Sequence, residues 1–441
     1  MAEIKSFKGL RYNTKKVNLS EVITEPYDRI TPLMQEEYYN RNPYNVVRII
    51  LGKEDDLEHP EKDKYKRAGI YLNEWEKEEI LIRDETEALY IYEQEFSVRN
   101  ERKKRKGIIA RVKLEEFSSK KVLPHEKTFP KHKIDRLNLL RATKANTGQI
   151  FLLYKDEEKK VFQAVQEALE KAEVVADTQD EDNNSHRVWK ISDKYAIQKI
   201  QEAMADKVLI IADGHHRYET SLNYRNEMIE HIKEVKGDES FNFIMMTLFD
   251  LDDPGLVILP TYRLVKDLDK LTEDGLKQFF STWFEISEIN CPDPSDKSVI
   301  EIAQQKIERE NYTFTAYISE FDKIYIFHLK SEDILDAEIN GGKSREWKRL
   351  DVSILHSLII DRLTEFSSGP FSLENNVSYI RNLEEGLKKV KDGEFQMIFL
   401  LRSPSLNQIK EIVESGEVMP HKSTDFFPKL KSGLIINPLE E

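Results

Sequence analysis

The sequence predicts an α+β (mixed α/β) fold, and three observations carry that prediction. Of its 441 residues 39% are apolar and 10% aromatic, with few prolines and glycines and no low-complexity tract, which suits a folded chain with two or three cores. Short apolar runs such as QIFLLY, VLIIADG and FNFIMMTLF end in turn residues, as buried strands do. Between them lie segments whose apolar residues recur at helical spacing. The pattern divides into an N-terminal α/β lobe over 1–110, a core over 111–235 and a C-terminal α/β region over 236–441.

In the first lobe TEPYDRITP reads as a loop leading into a helix, with Thr31 as cap and Pro32 in the first turn. NPYNVVRIILG, Asn42 to Gly52, predicts a turn and a buried strand. KYKRAGIYLNEWEKEEIL predicts a helix with Ile70, Leu72, Trp75 and Ile80 inward, and ALYIYEQEFSV with RKGIIARVKLEEF predicts a hairpin whose basic tip is NERKKRK. Without interleaved aromatics that tip reads as a solvated turn rather than a nucleic-acid contact.

In the core region, Lys133 to Lys144 predicts a helix burying Ile134, Leu137 and Leu140. QIFLLY is a strand, and Glu157 to Glu173 an amphipathic helix. DTQDEDNNSH, Asp177 to His186, is the most linker-like stretch in the chain. A strand RVWKI and a helix from Ser192 precede VLIIADGHHR. Farther on, Asp250, Asp252 and Asp253 lack calcium-loop spacing and read as a DDPG turn. Helices around LTEDGLKQFFSTWF, from Ser298 to Glu310 and over LDVSILHSLIIDRL flank the strands FTAYIS and KIYIFHL, and His356 reads as a core histidine. QMIFLLRSPS then gives a strand and NQIKEIVESGEVMP a helix ended by Gly416.

The charge balance, 81 Asp and Glu against 67 Lys and Arg, argues against broad binding to nucleic acid. A lone Cys291 excludes an internal disulfide or a thiolate-rich metal cluster. No apolar run of signal or membrane-spanning type stands out, so the expected setting is cytoplasmic, without a membrane partner.

Two motifs carry chemistry. In KVLIIADGHHRYET a strand ends at Asp213-Gly214 and His215-His216-Arg217 open a helix. The first helical amides lack intrahelical acceptors there, and arginine grips phosphate or carboxylate oxygens, so the place suits an anion. A solvated helix start is the bland alternative. In VLPHEKTFP, His125 and Glu126 lie in a proline-bounded loop with Thr128. A carboxylate beside an imidazole is a reasonable general base for a hydroxyl, though an exposed turn fits the spacing equally well. The C-terminal HKSTDFFPKLKSGLI offers Lys422, Ser423, Thr424 and Lys429 as a cover for a phosphate-bearing site, and a structural lid with no chemistry fits it as well.

Taken in order, VLPHEKT, KIDRLNLLRATKAN, ADGHHRYET, PGLVILPTYRLV and GEVMPHKSTDFFPKLKSGL resemble the family catalogued as domain of unknown function 1015, nearly end to end. The pairing of PHE with DGHHR also resembles the free serine kinases of the ParB/sulfiredoxin-like superfamily. That resemblance implies a ParB-like nucleotide-binding core embedded in a larger, multi-lobed chain. It implies Glu126, with His125, as the catalytic group activating a hydroxyl, and Asp213, Gly214, His215, His216 and Arg217 as the nucleotide-phosphate loop. Thr128, Lys133, Asp135 and Arg136 are the expected substrate contacts, with ATP or ADP and Mg2+ as cofactors. The connection between the motifs, Tyr154 to Lys207, is longer than in the compact kinases.

The function so implied is a small-molecule kinase of serine metabolism, forming O-phospho-L-serine from free L-serine. A non-catalytic nucleotide-binding switch of ParB type is the alternative, and a metal-dependent hydrolase the third. The absence of GxxxxGK[ST] argues against a P-loop enzyme, and adjacent histidines on a helix point apart, so one metal would not readily take both. The metal ligands and the oligomeric state stay open.

Overall fold

A computed structural model of the chain describes residues 3–54, 59, 62–98, 101–126, 133–232, 236–339 and 341–439. Contacts divide the chain into two units. The first comprises Met1–Pro124, Thr128–Leu256 and Pro428–Glu441, and the second His125–Lys127 and Val257–Phe427. Helices and strands alternate in both, an α+β fold.

In the first unit the described residues form a nine-stranded sheet. Its strands are β1 (Ile4–Lys5), β2 (Leu89–Val98), β3 (Glu101–Lys113), β4 (Val122–Pro124), β5 (Ile150–Tyr154), β6 (Glu173–Gln179), β7 (Ser185–Ile191), β8 (Leu209–Asp213) and β9 (Phe243–Asp250). The spatial order is β4-β8-β5-β9-β3-β2-β7-β6, with β1 beside β3. β4 runs parallel to β8 and β5 parallel to β9, whereas the remaining pairs are antiparallel.

Every residue of β5 is buried, as a strand covered on both faces requires. Helices α2 (Lys160–Leu169) and α3 (Lys194–Met204) add Val161, Ala164, Ile197 and Ile200 to the core, and α4 (His215–His231) adds Tyr218 and Leu222. Before α2, α1 (Lys133–Thr143) buries Leu139 and Leu140.

The second unit holds a six-stranded antiparallel sheet. Its strands are β10 (Tyr262–Val265), β11 (Phe284–Asn290), β12 (Thr313–Ile318), β13 (Lys323–Leu329), β14 (Val377–Ile380) and β15 (Met397–Leu400), in the order β11-β13-β12-β15-β10-β14. Helices α5 (Lys297–Arg309) and α6 (Leu383–Lys391) pack Ile300, Ala303, Leu387 and Val390 against Tyr317, Ile324 and Ile398. Val257–Leu259 pairs antiparallel with Asp425–Phe427 as a separate ribbon.

Several sequence expectations are met locally. Thr31 caps the helix Pro32–Arg41 by accepting from the Met34 amide. His356 is a core histidine, which burial, followed by the charges of Arg263 and His421, lowers to about 3.

Others are corrected. VVRII forms a short helix, Val47–Ile50, rather than a strand, because the buried Asn45 side chain accepts from the Val47 amide and starts a turn. The expected hairpin forms, but the basic run lies along its second strand, Asn100 falling outside the described residues. Residues 101–106 belong to β3, with Lys104 and Lys106 facing Glu93 of β2 and Arg105 turned into the core. Arg105 donates to the Gln94 side chain and to the Pro428 carbonyl, and burial pushes it down to about 9.

Ile134, expected inside, is 72% exposed, whereas Leu140 is buried as expected and Leu139 is buried beside it. The linker-like DTQDEDNNSH is the turn of the β6–β7 hairpin. Asp180 folds it by accepting from the amides of Asp182 and Asn184. The helix expected over LDVSILHSLIIDRL passes from an α-helical turn, Asp351–Ile354, into a π-helical one, Leu355–Ile359, and a 3-10 segment, Ile360–Phe366.

Candidate functional site

The first cluster stands where β8 meets α4. Gly214 has φ of +95°, a left-handed conformation that costs glycine little, and any Cβ there would meet the Arg217 guanidinium at 3.1 Å. The turn aims the first amides of α4 beyond the strand end, where a helix of 17 residues carries a partial positive charge.

Arg217 and Lys429 bring full charges to the same place. The Asp213 carboxylate accepts from Lys429 Nζ at 3.1 Å and from Arg217 Nη2 at 3.0 Å, while Arg217 Nη1 donates to the Gln149 carbonyl. Burial would raise Asp213, but Lys429 and Arg217, with His215, outweigh it and hold the carboxyl at about 2. The carboxylate is thus a fixed negative charge between two cations. His215 and His216 are the first two residues of α4, half-buried beside it.

Asp135 and Arg136 lie on α1. Arg136 stacks over the Tyr27 ring, 4.0 Å from its centre, donates from Nη1 to the Ile50 carbonyl at 2.7 Å and from Nε to Asp135 at 2.7 Å. Asp135 also accepts from the Tyr65 hydroxyl at 2.8 Å. Burial opposes its ionisation, yet Arg136 and Tyr65 keep its carboxyl below the usual range. An open cleft in this unit is lined by both Arg136 and Arg217. Thr128 and the Lys133 side chain lie outside the described residues.

Pro124 ends β4 in register with Ile211 of β8, and the chain enters the second unit at His125. There Glu126 is held by the C-terminal loop. Its Oε1 accepts from both the amide and the hydroxyl of Thr424, each at 2.8 Å. The Thr424 hydroxyl proton is then committed, so the 2.6 Å contact from the buried His125 assigns Nε2–H as donor to Thr424 Oγ1. The Met419 amide donates to the His125 carbonyl at 2.8 Å. These contacts give the Glu126 carboxylate a set orientation, the first requirement of a general base.

Arg263 supports the loop from below. It is buried, donates from Nη2 to the Lys422 carbonyl at 3.0 Å, and burial lowers it to about 10 despite Tyr379 and Glu126. Sequence reasoning passed over Arg263 inside an apolar strand run, where its position suggested no role.

The structure brings Asp213, Gly214 and Arg217 together with Lys429, and His125 and Glu126 together with Thr424. The first set belongs to the first unit and the second set to the second unit. Thr424 and Lys429 stood out in the C-terminal loop, though not their contacts with Glu126 and Asp213, whereas Tyr27 and Gln149 had no signal of their own, because each acts through a neighbour distant in sequence. Among the described residues no group of three His, Cys, Asp or Glu side chains is placed to hold a metal ion. Magnesium that travels with nucleotide phosphates needs as little as one protein carboxylate. Asp213 has that chemistry, although Lys429 and Arg217 occupy it in this arrangement. Among the described residues no helix is long and apolar enough to cross a membrane.

The chain is similar to several solved structures. A conserved hypothetical protein from Pyrococcus furiosus is 14% identical, with 74% of this chain and 95% of that chain covered and a TM-score of 0.32. A free serine kinase in complex with AMP is 15% identical, with 74% and 92% covered and a TM-score of 0.34. SbnI with a C-terminal truncation, from Staphylococcus aureus, is 10% identical, with 75% and 87% covered and a TM-score of 0.35. No curated protein matches the sequence. The model of the family described as Protein of unknown function (DUF1015) matches residues 4–353, and the chain belongs to that family.

Proposed function

We propose that the protein is a small-molecule kinase that transfers a phosphoryl group from ATP or ADP to a hydroxyl, with free L-serine as acceptor and O-phospho-L-serine as product. The observation that carries this reading is the β8–α4 junction. A left-handed glycine, the start of a long helix, Arg217 and Lys429 together form a cradle for phosphate oxygens. Phosphoryl transfer asks little covalent work of a protein beyond holding phosphates and orienting the hydroxyl.

In this reading Glu126 accepts the hydroxyl proton. The serine oxygen forms a bond to the terminal phosphorus while the bond from that phosphorus to the bridging oxygen breaks, releasing ADP from ATP or AMP from ADP. His125 and Thr424 act as positioning residues that keep the carboxylate oriented. Magnesium entering with the nucleotide supplies charge neutralisation. The choice of serine rests on the resemblance of the PHE and DGHHR motifs to free serine kinases.

The test is direct. Purified protein incubated with ATP or ADP, magnesium and L-serine should yield phosphoserine, and Glu126→Gln should lower turnover by about 100-fold or more while nucleotide affinity changes little. Wild-type protein that binds nucleotide yet phosphorylates no hydroxylated amino acid would sink the proposal and favour a nucleotide-binding switch.

A further inference from the structure

The cleft in the first unit has a composition that the phosphate loop does not explain. Tyr27, Arg136, Arg217, Thr220 and Ser221 line it, so three separate stretches of chain meet there. Arg136 is 8% exposed and its guanidinium plane is fixed against the Tyr27 ring. A cation held this way loses little freedom when a ligand arrives.

The surrounding charges are mixed. Asp135 faces Arg136 and also Lys64, at 3.5 Å, while Asp213 faces Arg217 and Lys429. Lys64 is shared with the exposed Glu54. Asp135 and Asp213 each serve two cations, and Asp28 adds a further negative charge beside Tyr27, so the two arginines lining the cleft stand in a mixed field.

Thr220 adds an independent sign. It lines the same cleft at 3% exposure, and its buried Oγ1 has no hydrogen-bond partner among the described residues. A hydroxyl left in that state costs stability unless something satisfies it.

We propose that this cleft is an oxyanion pocket that takes the carboxylate or phosphate end of a small ligand between Arg136 and Arg217, with Tyr27 and Thr220 as hydroxyl partners. The proposal deepens the phosphotransfer reading and rests on it, since Arg217 also belongs to the proposed phosphate cradle. The oxyanion has two sources there, the carboxylate of an amino-acid acceptor and the phosphate of the nucleotide.

Calorimetry on the full chain with L-serine, AMP and inorganic phosphate separates them. Arg136→Lys keeps the charge but loses the planar fork, and about a tenfold loss of affinity for the bound probe is expected. Thr220→Val preserves side-chain shape and breaks no side-chain hydrogen bond among the described residues, so it tests the pocket even where the arginine variant folds poorly; a loss of about threefold or more is expected. Weakened serine binding with AMP retained assigns the carboxylate. Weakened AMP or phosphate binding with serine retained assigns the phosphate. If both variants bind every probe as wild type does, or wild type binds none, the pocket is overturned. Phosphoserine formation is assayed separately, so a wild-type protein that binds probes through Arg136 but makes no phosphoserine would leave the pocket standing while the kinase reading fails.

Discussion

Lys429 and Lys431 sit two residues apart on the same C-terminal stretch, and each neutralises carboxylates of the first unit, yet their surroundings differ. Lys431 and Asp180 are each 1% exposed and lie 3.0 Å apart, with Glu25 at 2.6 Å from the same ammonium. His186 joins them, donating from Nε2 to Asp180 at 3.0 Å and accepting at Nδ1 from the Tyr92 hydroxyl at 2.7 Å. Tyr38 closes the group by donating to Glu181 at 2.7 Å. Lys429 meets Asp213 at 3.1 Å, but that carboxylate is 25% exposed and shared with Arg217. Lys431 and Asp180 are closed off from water, whereas Glu25 and Glu181 at the edge of the network are 17% and 33% exposed. The second opens toward solvent, where a ligand's oxygens can replace a carboxylate contact at small cost. Under the proposed function, similar pairs serve architecture in one place and binding in the other, and solvent access makes the difference.

The largest expected effect breaks the sealed pair. Lys431→Met leaves the buried Asp180 carboxylate without its cation, and chemical denaturation should show a loss of about 3–5 kcal/mol. Lys429→Met should cost about 1 kcal/mol or less, because Asp213 keeps Arg217 and solvent, while nucleotide affinity falls in this variant and holds in Lys431→Met. Equal stability losses in the two variants would erase the distinction drawn between them.

A smaller effect concerns pH. Burial, aided by Lys431, lowers the His186 imidazole despite the pull of Asp180. The folded pKa therefore lies below that of the unfolded chain, which takes up the proton first. Stability from a neutral His186 is full above about pH 6.5 and declines as pH falls below it. Unfolding followed between about pH 7 and 5 should show a flatter dependence in His186→Gln than in wild type. Asp180, held well below the usual carboxylate range against the cost of burial by His186 and Lys431, adds a loss with the same sign at lower pH.

Much of the fold was legible locally. The cap at Thr31 and the strand-to-helix turn at Gly214 are short-range devices, set within a few residues. Local reading failed where a distant partner overrides composition. DTQDEDNNSH looks solvated, yet Lys431 waits for Asp180 from far along the chain. The basic run of β3 looks like a surface tip, yet Gln94 and the Pro428 carbonyl bury Arg105. For the candidate site, Asp213 through Arg217 and the pair His125-Glu126 announce themselves as motifs and Thr424 stands in a conspicuous loop, while Arg263 and Tyr27 do not stand out, since each is defined by what it touches.

By itself, the sequence determined the family, the α+β class and the residue types able to hold phosphate and accept a proton, because these depend on spacing and chemistry carried within single stretches. Tertiary structure decided which lysine of the C-terminal stretch lies sealed and which faces the phosphate loop. It also decided that Thr424 orients Glu126, and that Tyr27 and Thr220 share a cleft with two arginines. Burial and charge pairing between distant segments exist only once the chain has closed on itself, and no local pattern encodes them.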